Sequence, residues 1–314
     1  MTAKELVESV PIPVCGLALG LASLDRYLLI NYESYEYGIF AWISAILLLL
    51  FVLKMTIGHK AFRNDLDSPV LFGVLPTFSM TMMILSTYIV DTSEILAKAV
   101  WLVSLASMFV MMFLFLSKFM VRFRIKNVFP SWFVMFIGCV VASITSVAIG
   151  FADIGKVVFI FGVIAYAVLL PLILYRVLIK KGIPEQAMPN LAIFTAPPNL
   201  LLVGYLAAFG TEANETVVMI WAIFGITSYI AVLTYLPFML KRKFYPSYGA
   251  FTFPLVISMM SINSIGEFFE LSDGLYGVLE KLSEIIAVVM VIYVLVRYIV
   301  FFLGVVTEKS GSGA

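Results

Sequence analysis

The chain is short of charge. Lys, Arg, Asp and Glu make up 12% of its 314 residues, 62% are apolar, and the mean hydropathy is +1.08. A soluble domain carries about 25% charged residues, because its surface must be hydrated. This chain cannot clothe a water-facing surface, so its main solvent is a lipid bilayer. A net charge of +1 with no basic tail or Arg-rich stripe argues against a nucleic-acid partner. Histidine and cysteine are scarcer still. His59 lies in a loop beside Lys60 and Arg63, and the two cysteines, Cys15 and Cys139, sit in apolar runs beside Gly16 and Gly138. That inventory excludes a disulfide framework and any zinc, haem or iron–sulfur site of familiar spacing, so neither metal nor cofactor is expected. A GxxxxGK[ST] loop is missing, which argues against ATP-driven pumping by this chain. No grouping of acid, base or metal ligand suggests an enzyme.

What the sequence has in abundance is long apolar runs. A spanning helix needs about 20 mostly apolar residues. Ten such stretches are expected, at about 11–28, 37–57, 69–90, 95–120, 130–150, 154–180, 190–210, 216–240, 247–268 and 275–305. Turn formers separate them, among them Asn31, Asp67-Ser68-Pro69, Pro130, Gly182-Ile183-Pro184, Gly210 and Pro246-Ser247. The loops leave no room for a second domain, so residues 1–309 read as one transmembrane channel domain. The opening residues are mixed in charge and lack a small-x-small cleavage site, and read as a short cytoplasmic arm. Residues 310–314, Ser-Gly-Ser-Gly-Ala, read as a cloning remnant.

Charge orients the bundle. Lys54, Lys60, Arg63, Lys118, Arg122, Arg124, Lys126, Arg176, Lys180, Lys181, Lys241, Arg242 and Lys243 follow even-numbered stretches. Only Arg26, Lys98, Lys156 and Lys281 lie near the opposite ends, where the acids Glu33, Glu36, Asp91, Glu94, Asp153, Glu212, Glu215, Glu267, Glu270 and Asp273 collect. The positive-inside bias puts the even-to-odd loops, and with ten spans both termini, in the cytoplasm. A bacterial or archaeal cytoplasmic membrane is the expected location.

Odd and even stretches differ in chemistry. The even ones carry greasy runs such as Ile46 to Leu53 and Phe109 to Leu116. The odd ones carry Gly16, Gly20 and Ser23; Thr77, Ser79 and Thr81; Gly138, Ser143 and Thr145; Asn199 and Gly204; Thr252, Ser258, Ser261 and Asn263. Polar atoms inside a membrane face protein or a water-filled cavity rather than lipid. The expected fold is therefore all-α and integral to the membrane: ten helices as five repeated hairpins, odd helices around a central pore, even helices facing lipid. Pro13, Pro76, Pro197-Pro198 and Pro254 fall in odd members, where an interior proline removes a backbone hydrogen bond and kinks the helix. Kinks are expected at Pro76, Pro198 and Pro254. Five like units do not divide into two inverted halves, which argues against a rocking-bundle carrier.

No formal charge falls mid-way along an odd stretch; Asp25 and Glu267 stand near outer ends and read as solvated carboxylates. Pore-lining candidates are Gly16, Gly20, Ser79, Gly138, Ser143, Asn199, Ser258 and Asn263. The two asparagines serve equally well as bonds between helices, the commoner use of a buried amide. Phe253, before Pro254 at a kink, is an aromatic that either packs between helices or blocks a small-lined pore.

Four segments carry a family resemblance: Ser68-Pro69-Val70-Leu71-Phe72 with Leu75-Pro76-Thr77-Phe78, Pro130-Ser131-Trp132-Phe133-Val134, Ala196-Pro197-Pro198-Asn199-Leu200, and Phe251-Thr252-Phe253-Pro254-Leu255. In order, they resemble the third, fifth, seventh and ninth helices of the tellurite-resistance/dicarboxylate transporter family. That family includes the bacterial TehA proteins, plant guard-cell slow anion channels and fungal malate and sulfite carriers. The likeness runs from about Pro11 to Phe302. It implies a homotrimer, one pore per subunit, and a phenylalanine gate at the position of Phe253. Leu17-Ala18-Leu19 stands where some relatives carry a proline, implying a straighter first helix, and the regulatory tails of the plant channels are absent.

The function expected from these features is passive conduction of small anions, of the chloride or nitrate class, through an uncharged pore. The alternative is a proton-coupled carrier of dicarboxylate, sulfite or tellurite-type oxyanions. A carrier usually needs a titratable or cationic residue at mid-membrane, and none is evident.

Overall fold

Capping side chains set several helix starts. Ser68 and Ser93 accept hydrogen bonds from the backbone N–H groups of Leu71 and Leu96, and Asn214 accepts from Thr216 and Val217. Each answers first-turn donors that have no partner inside the helix. Gly150, with φ +84°, closes the fifth span in a left-handed conformation that only glycine adopts without penalty. The computed structural model describes residues 3–36, 38–121, 123–271 and 273–311. Arg122 and residues 312–314 thus lie outside the described residues.

Among the described residues, ten helical segments are long and apolar enough to cross a membrane: α1 (Val14–Asn31), α2 (Ile39–Thr56), α3 (Pro69–Ile89), α4 (Glu94–Phe119), α5 (Ser131–Ile149), α6 (Ala152–Lys180), α7 (Glu185–Glu212), α8 (Glu215–Leu240), α9 (Pro246–Phe269) and α10 (Gly274–Val305). No strand occurs among them. The ranges expected from hydropathy fall on these spans. The largest difference is at α7, which begins at Glu185 rather than 190 because the stretch through Pro189 is a 3₁₀ helix, not a loop.

The odd spans are 67–78% buried and the even ones 28–33%. Trp42 on α2 and Phe113 on α4 are 71% and 70% exposed. A wide apolar face of that kind is stable only against lipid or another protein. Contacts follow a closed order. α1 packs on α3, α3 on α5, α5 on α7, α7 on α9, and α9 returns to α1; each even helix lies against the odd helix before it in sequence. Closure between first and last odd helices depends on glycine. A Cβ on Gly249 would stand 2.4 Å from the Pro13 carbonyl oxygen, and one on Gly20 would stand 2.4 Å from Cβ of Thr252. Thr252 Oγ1 fastens the seam with its one proton shared between the Gly16 and Gly249 carbonyls, at 2.9 and 2.7 Å.

Candidate functional site

Four of the five odd helices do not run as unbroken α-helices across their length. α3 is helical to Val74 and restarts at Thr77 with Pro76 as its N-cap. α5 passes through a 3₁₀ turn at Gly138–Val140. α7 is 3₁₀ over Glu185–Thr195 and α from Ala196, with Pro197 and Pro198 in the first α turn. α9 is 3₁₀ over Pro246–Phe251, breaks at Thr252 (φ −86°, ψ −82°), and is α from Phe253, with Pro254 next. α1 is regular from Val14 onward, with Pro13 as its N-cap. Proline stands at each of these starts but the one in α5, and suits them because the first N–H groups of a helix have no intrahelical acceptor.

The breaks meet around one cavity of ≈ 40 Å³. α1 contributes Pro13 and Gly16, α3 Val74 and Thr77, α5 Ile137 and Gly138, α7 Ala196 and Pro197, and α9 Phe253 and Pro254. No Lys, Arg, Asp, Glu or His lines it. Toward the end of the bundle that carries the basic loops it adjoins a wider vestibule of ≈ 740 Å³, whose wall includes Glu8, Lys54, Asp65 and Lys126. Pro13, Val74, Asn190 and Ser247 line both spaces and form the collar between them.

Backbone electrostatics at the breaks are lopsided. Each break brings the carbonyl end of one helical piece against the N–H end of the next. The carbonyl ends are quenched by side-chain donors: Thr77 Oγ1 donates to Val74 O at 2.7 Å, Cys139 Sγ to Phe136 O at 3.4 Å, Asn199 Nδ2 to Thr195 O at 2.7 Å, and Thr252 Oγ1 to Gly249 O at 2.7 Å. Helix N-termini carry roughly half a positive charge each. With the opposing carbonyls capped, the helix starts that follow Pro13 and those at Thr77, Ala196 and Phe253 border a space that holds no formal charge, and they favour an anion there.

Of the other sequence candidates, Gly16, Gly138 and Phe253 stand on the cavity wall, with Phe253 6% exposed. The remaining candidates stand elsewhere. Gly20 is filled by Thr252. Ser79 Oγ lies 2.6 Å from Ser107 Oγ on α4, and Ser143 Oγ donates to Gly155 O on α6 at 2.8 Å. Asn199 Nδ2 also faces Gly225 O on α8 at 3.3 Å and Ser258 Oγ on α9 at 3.1 Å. Ser258 donates to Pro254 O and lies 2.8 Å from Thr195 Oγ1. Asn263 Nδ2 donates to Glu280 on α10 at 2.8 Å. All five polar side chains sit at seams between helices, and for the four buried ones, Ser79, Ser143, Asn199 and Ser258, an apolar surround leaves no solvent to bond.

Asp25 departs from the solvated carboxylate expected of it. It is fully buried and accepts from Tyr88 Oη at 2.7 Å, Phe40 N at 3.0 Å and Tyr35 Oη. These bonds tie the outer ends of α1 and α3 to the α1–α2 loop. Burial, then the bond to Asp25, pushes the Tyr35 phenol up to about 12, so it remains a donor at neutral pH. Glu267 is exposed, as expected. Sequence reasoning missed two residues. Lys54 is 3% exposed and donates to Val10 O and Asp65, both at 2.5 Å, beneath the vestibule. Asn190, the first residue of the expected 190–210 stretch, is 2% exposed on the collar.

A model of the SLAC1 family, described as voltage-dependent anion channel, matches residues 12–299. The chain belongs to the voltage-dependent anion channel family. Its match begins one residue before Pro13 and ends within α10, so it covers nine spans whole and most of the tenth. Family membership makes the protein a membrane anion channel or transporter. No curated protein sequence matches the chain.

Proposed function

We propose that the protein is a passive channel for small monovalent anions of the chloride or nitrate class, with the five odd helices enclosing the pore and Phe253 as its gate. The observation that carries this reading is the charge-free cavity at which the helix breaks meet. A neutral wall offers no ion-pairing group to trap an anion, while the converging N–H ends lower the cost of partial dehydration. Phe253 belongs to the first turn of the outer part of α9, where its ring adjoins the narrow space. Rotation of one phenyl ring is a local rotamer change, needing no rearrangement of the bundle. On this reading the vestibule faces the cytoplasm with both termini, the chain works as a homotrimer of independent pores in a bacterial or archaeal cytoplasmic membrane, and residues 1–309 act as one domain.

The test is electrical recording from reconstituted protein in an anion gradient. Phe253→Ala is expected to raise anion current by about tenfold or more, equivalent to roughly 1.4 kcal/mol in the closed–open balance, with reversal at the anion equilibrium potential. Unchanged current would remove the gate. A reversal potential that follows the proton gradient would replace the channel with a proton-coupled carrier.

A further inference from the structure

Three polar side chains line the neutral cavity: Thr77, Asn190 and Ser247. Two of them have already committed their protons. Thr77 Oγ1 donates to Val74 O at 2.7 Å, and Ser247 Oγ donates to Gln186 O at 2.5 Å. Asn190 is different: its amide nitrogen Nδ2 is buried and has no hydrogen-bond partner. The other buried side-chain atoms in that state among the described residues are on Ser131, Arg176, Tyr229 and Ser261, and none of those residues lines either cavity. A buried amide N–H₂ without an acceptor is costly, and native structures rarely retain one unless a water, ion or ligand completes it.

The surroundings say what would complete it. Asn190 sits on the collar, between a vestibule whose wall balances Lys54 and Lys126 against Glu8 and Asp65 and a cavity that holds no charge. An N–H₂ group offers two donors and calls for an acceptor. A cation is disfavoured by the helix N-termini that begin just beyond the collar, at Thr77, Ala196 and Phe253. A small anion answers both. Its entry into so narrow a space strips part of its hydration shell, and a fixed N–H donor at the threshold replaces one of the lost water contacts. The donor is held by a 3₁₀ segment, Glu185–Thr195, which Ser247 pins to α9 through the Gln186 carbonyl.

We infer that Asn190 is an anion-binding residue: its amide forms a selective threshold site for a partly dehydrated halide or nitrate where the vestibule narrows into the neutral cavity. The inference deepens the channel reading and rests on it for the direction of ion flow, but binding at Asn190 can be measured without any current. The first measurement is anomalous diffraction from wild-type crystals grown in bromide. Bromide density within hydrogen-bond distance of Asn190 Nδ2, lost in Asn190→Leu, is the expected result. No density there, or density that persists in the variant, overturns the site, and the wild-type half of the measurement stands even where the variant fails to fold.

The second measurement is chloride current against chloride concentration in the Phe253→Ala background. Asn190→Leu is expected to raise the half-saturating concentration by roughly tenfold or more, the usual scale for losing a hydrogen bond to a charged partner. Asn190→Asp, of the same shape but negative, is expected to suppress the current further. Saturation curves that superimpose for all three proteins overturn the proposal. Bromide at Asn190 in a protein that carries no current would support the site and refute the channel reading. Current without bromide density would do the reverse.

Discussion

Two polar regions on the same helices behave in opposite ways. At the seam between α7, α8 and α9, donors and acceptors are matched almost completely. Ser258 gives its proton to Pro254 O, so in its 2.8 Å contact with Thr195 the threonine must be the donor, and Asn199 adds further N–H groups to both. At the collar, Asn190 on the same α7 keeps an amide nitrogen with no acceptor. Both asparagines are almost fully buried, at 1% and 2% exposure. Burial therefore does not separate structural from functional polarity; hydrogen-bond completeness does. A membrane-embedded helix uses most of its hydroxyls and amides to cap its own breaks or hold a neighbour, and an uncommitted one on a cavity wall, unlike those of Ser131, Arg176, Tyr229 and Ser261, marks where a ligand can act.

The comparison breaks most severely where the ring of odd helices closes. Gly249→Val would place a Cβ 2.4 Å from the Pro13 carbonyl oxygen, a backbone atom with nowhere to move, because Pro13 is the N-cap of α1. We expect a loss of about 3 kcal/mol or more, seen as failure to purify a folded protein or as a large drop in Tm in detergent. The cavity and the seam should be lost together. A Gly249→Val protein that melts like wild type would mean that α1 and α9 are not held against each other as described.

Asn199→Leu attacks the seam alone. It removes the donors that reach Thr195 O and Ser258 and places a branched side chain against Gly225, where a Cβ would already stand 2.4 Å from Asn199 Oδ1. A cost of about 2–3 kcal/mol is expected, the scale for leaving buried polar partners unpaired. The Tm should fall while the half-saturating chloride concentration, measured in the Phe253→Ala background, stays where it was. A shift in saturation with little change in melting would reverse the roles assigned to the two asparagines.

Much of this fold was legible in the sequence. Long apolar runs, the alternation of small-rich and greasy stretches, and the segregation of Lys and Arg carry the ten spans and their unequal burial, because bilayer thickness and solvation act on composition directly. Prolines announced three breaks, at Pro76, Pro197-Pro198 and Pro254. The break in α5 had no proline to announce it and falls at Gly138–Val140. What the sequence withheld was facing. A helix packed on all sides is apolar all round, so its periodicity does not reveal which hydroxyl meets a cavity and which meets a neighbour. Ser79, Ser143 and Ser258 could not be told from Thr77 in that way, yet only Thr77 reaches the cavity wall. Asn190 was obscured for another reason: the 3₁₀ segment around Pro189 extends α7 by a turn, carrying an apparent end residue into the interior. Asp25 likewise appeared solvated at a helix end, because the tyrosines that enclose it, Tyr35 and Tyr88, are distant in sequence from one another.

Ser79→Ala is the mildest test of the same distinction. Ser107 Oγ donates to Ser104 O at 2.7 Å, so its hydroxyl proton is already committed, and Ser79 must be the donor in the 2.6 Å contact between the two. Removing the Ser79 hydroxyl deletes one interhelical bond and leaves no donor stranded; Ser107 loses only an incoming proton. The cost should be close to the ~0.6 kcal/mol typical of hydrogen bonds between membrane helices, a Tm change near the limit of measurement. A side chain on the cavity wall would act differently, since its replacement by a methyl group would alter the space an anion occupies and thereby the conductance. Conductance equal to that of the parent protein, in the Phe253→Ala background, is the result expected for Ser79. A conductance change at unaltered Tm would place its hydroxyl on the permeation path and would restore the inference, natural from sequence, that hydroxyls on odd helices line the pore.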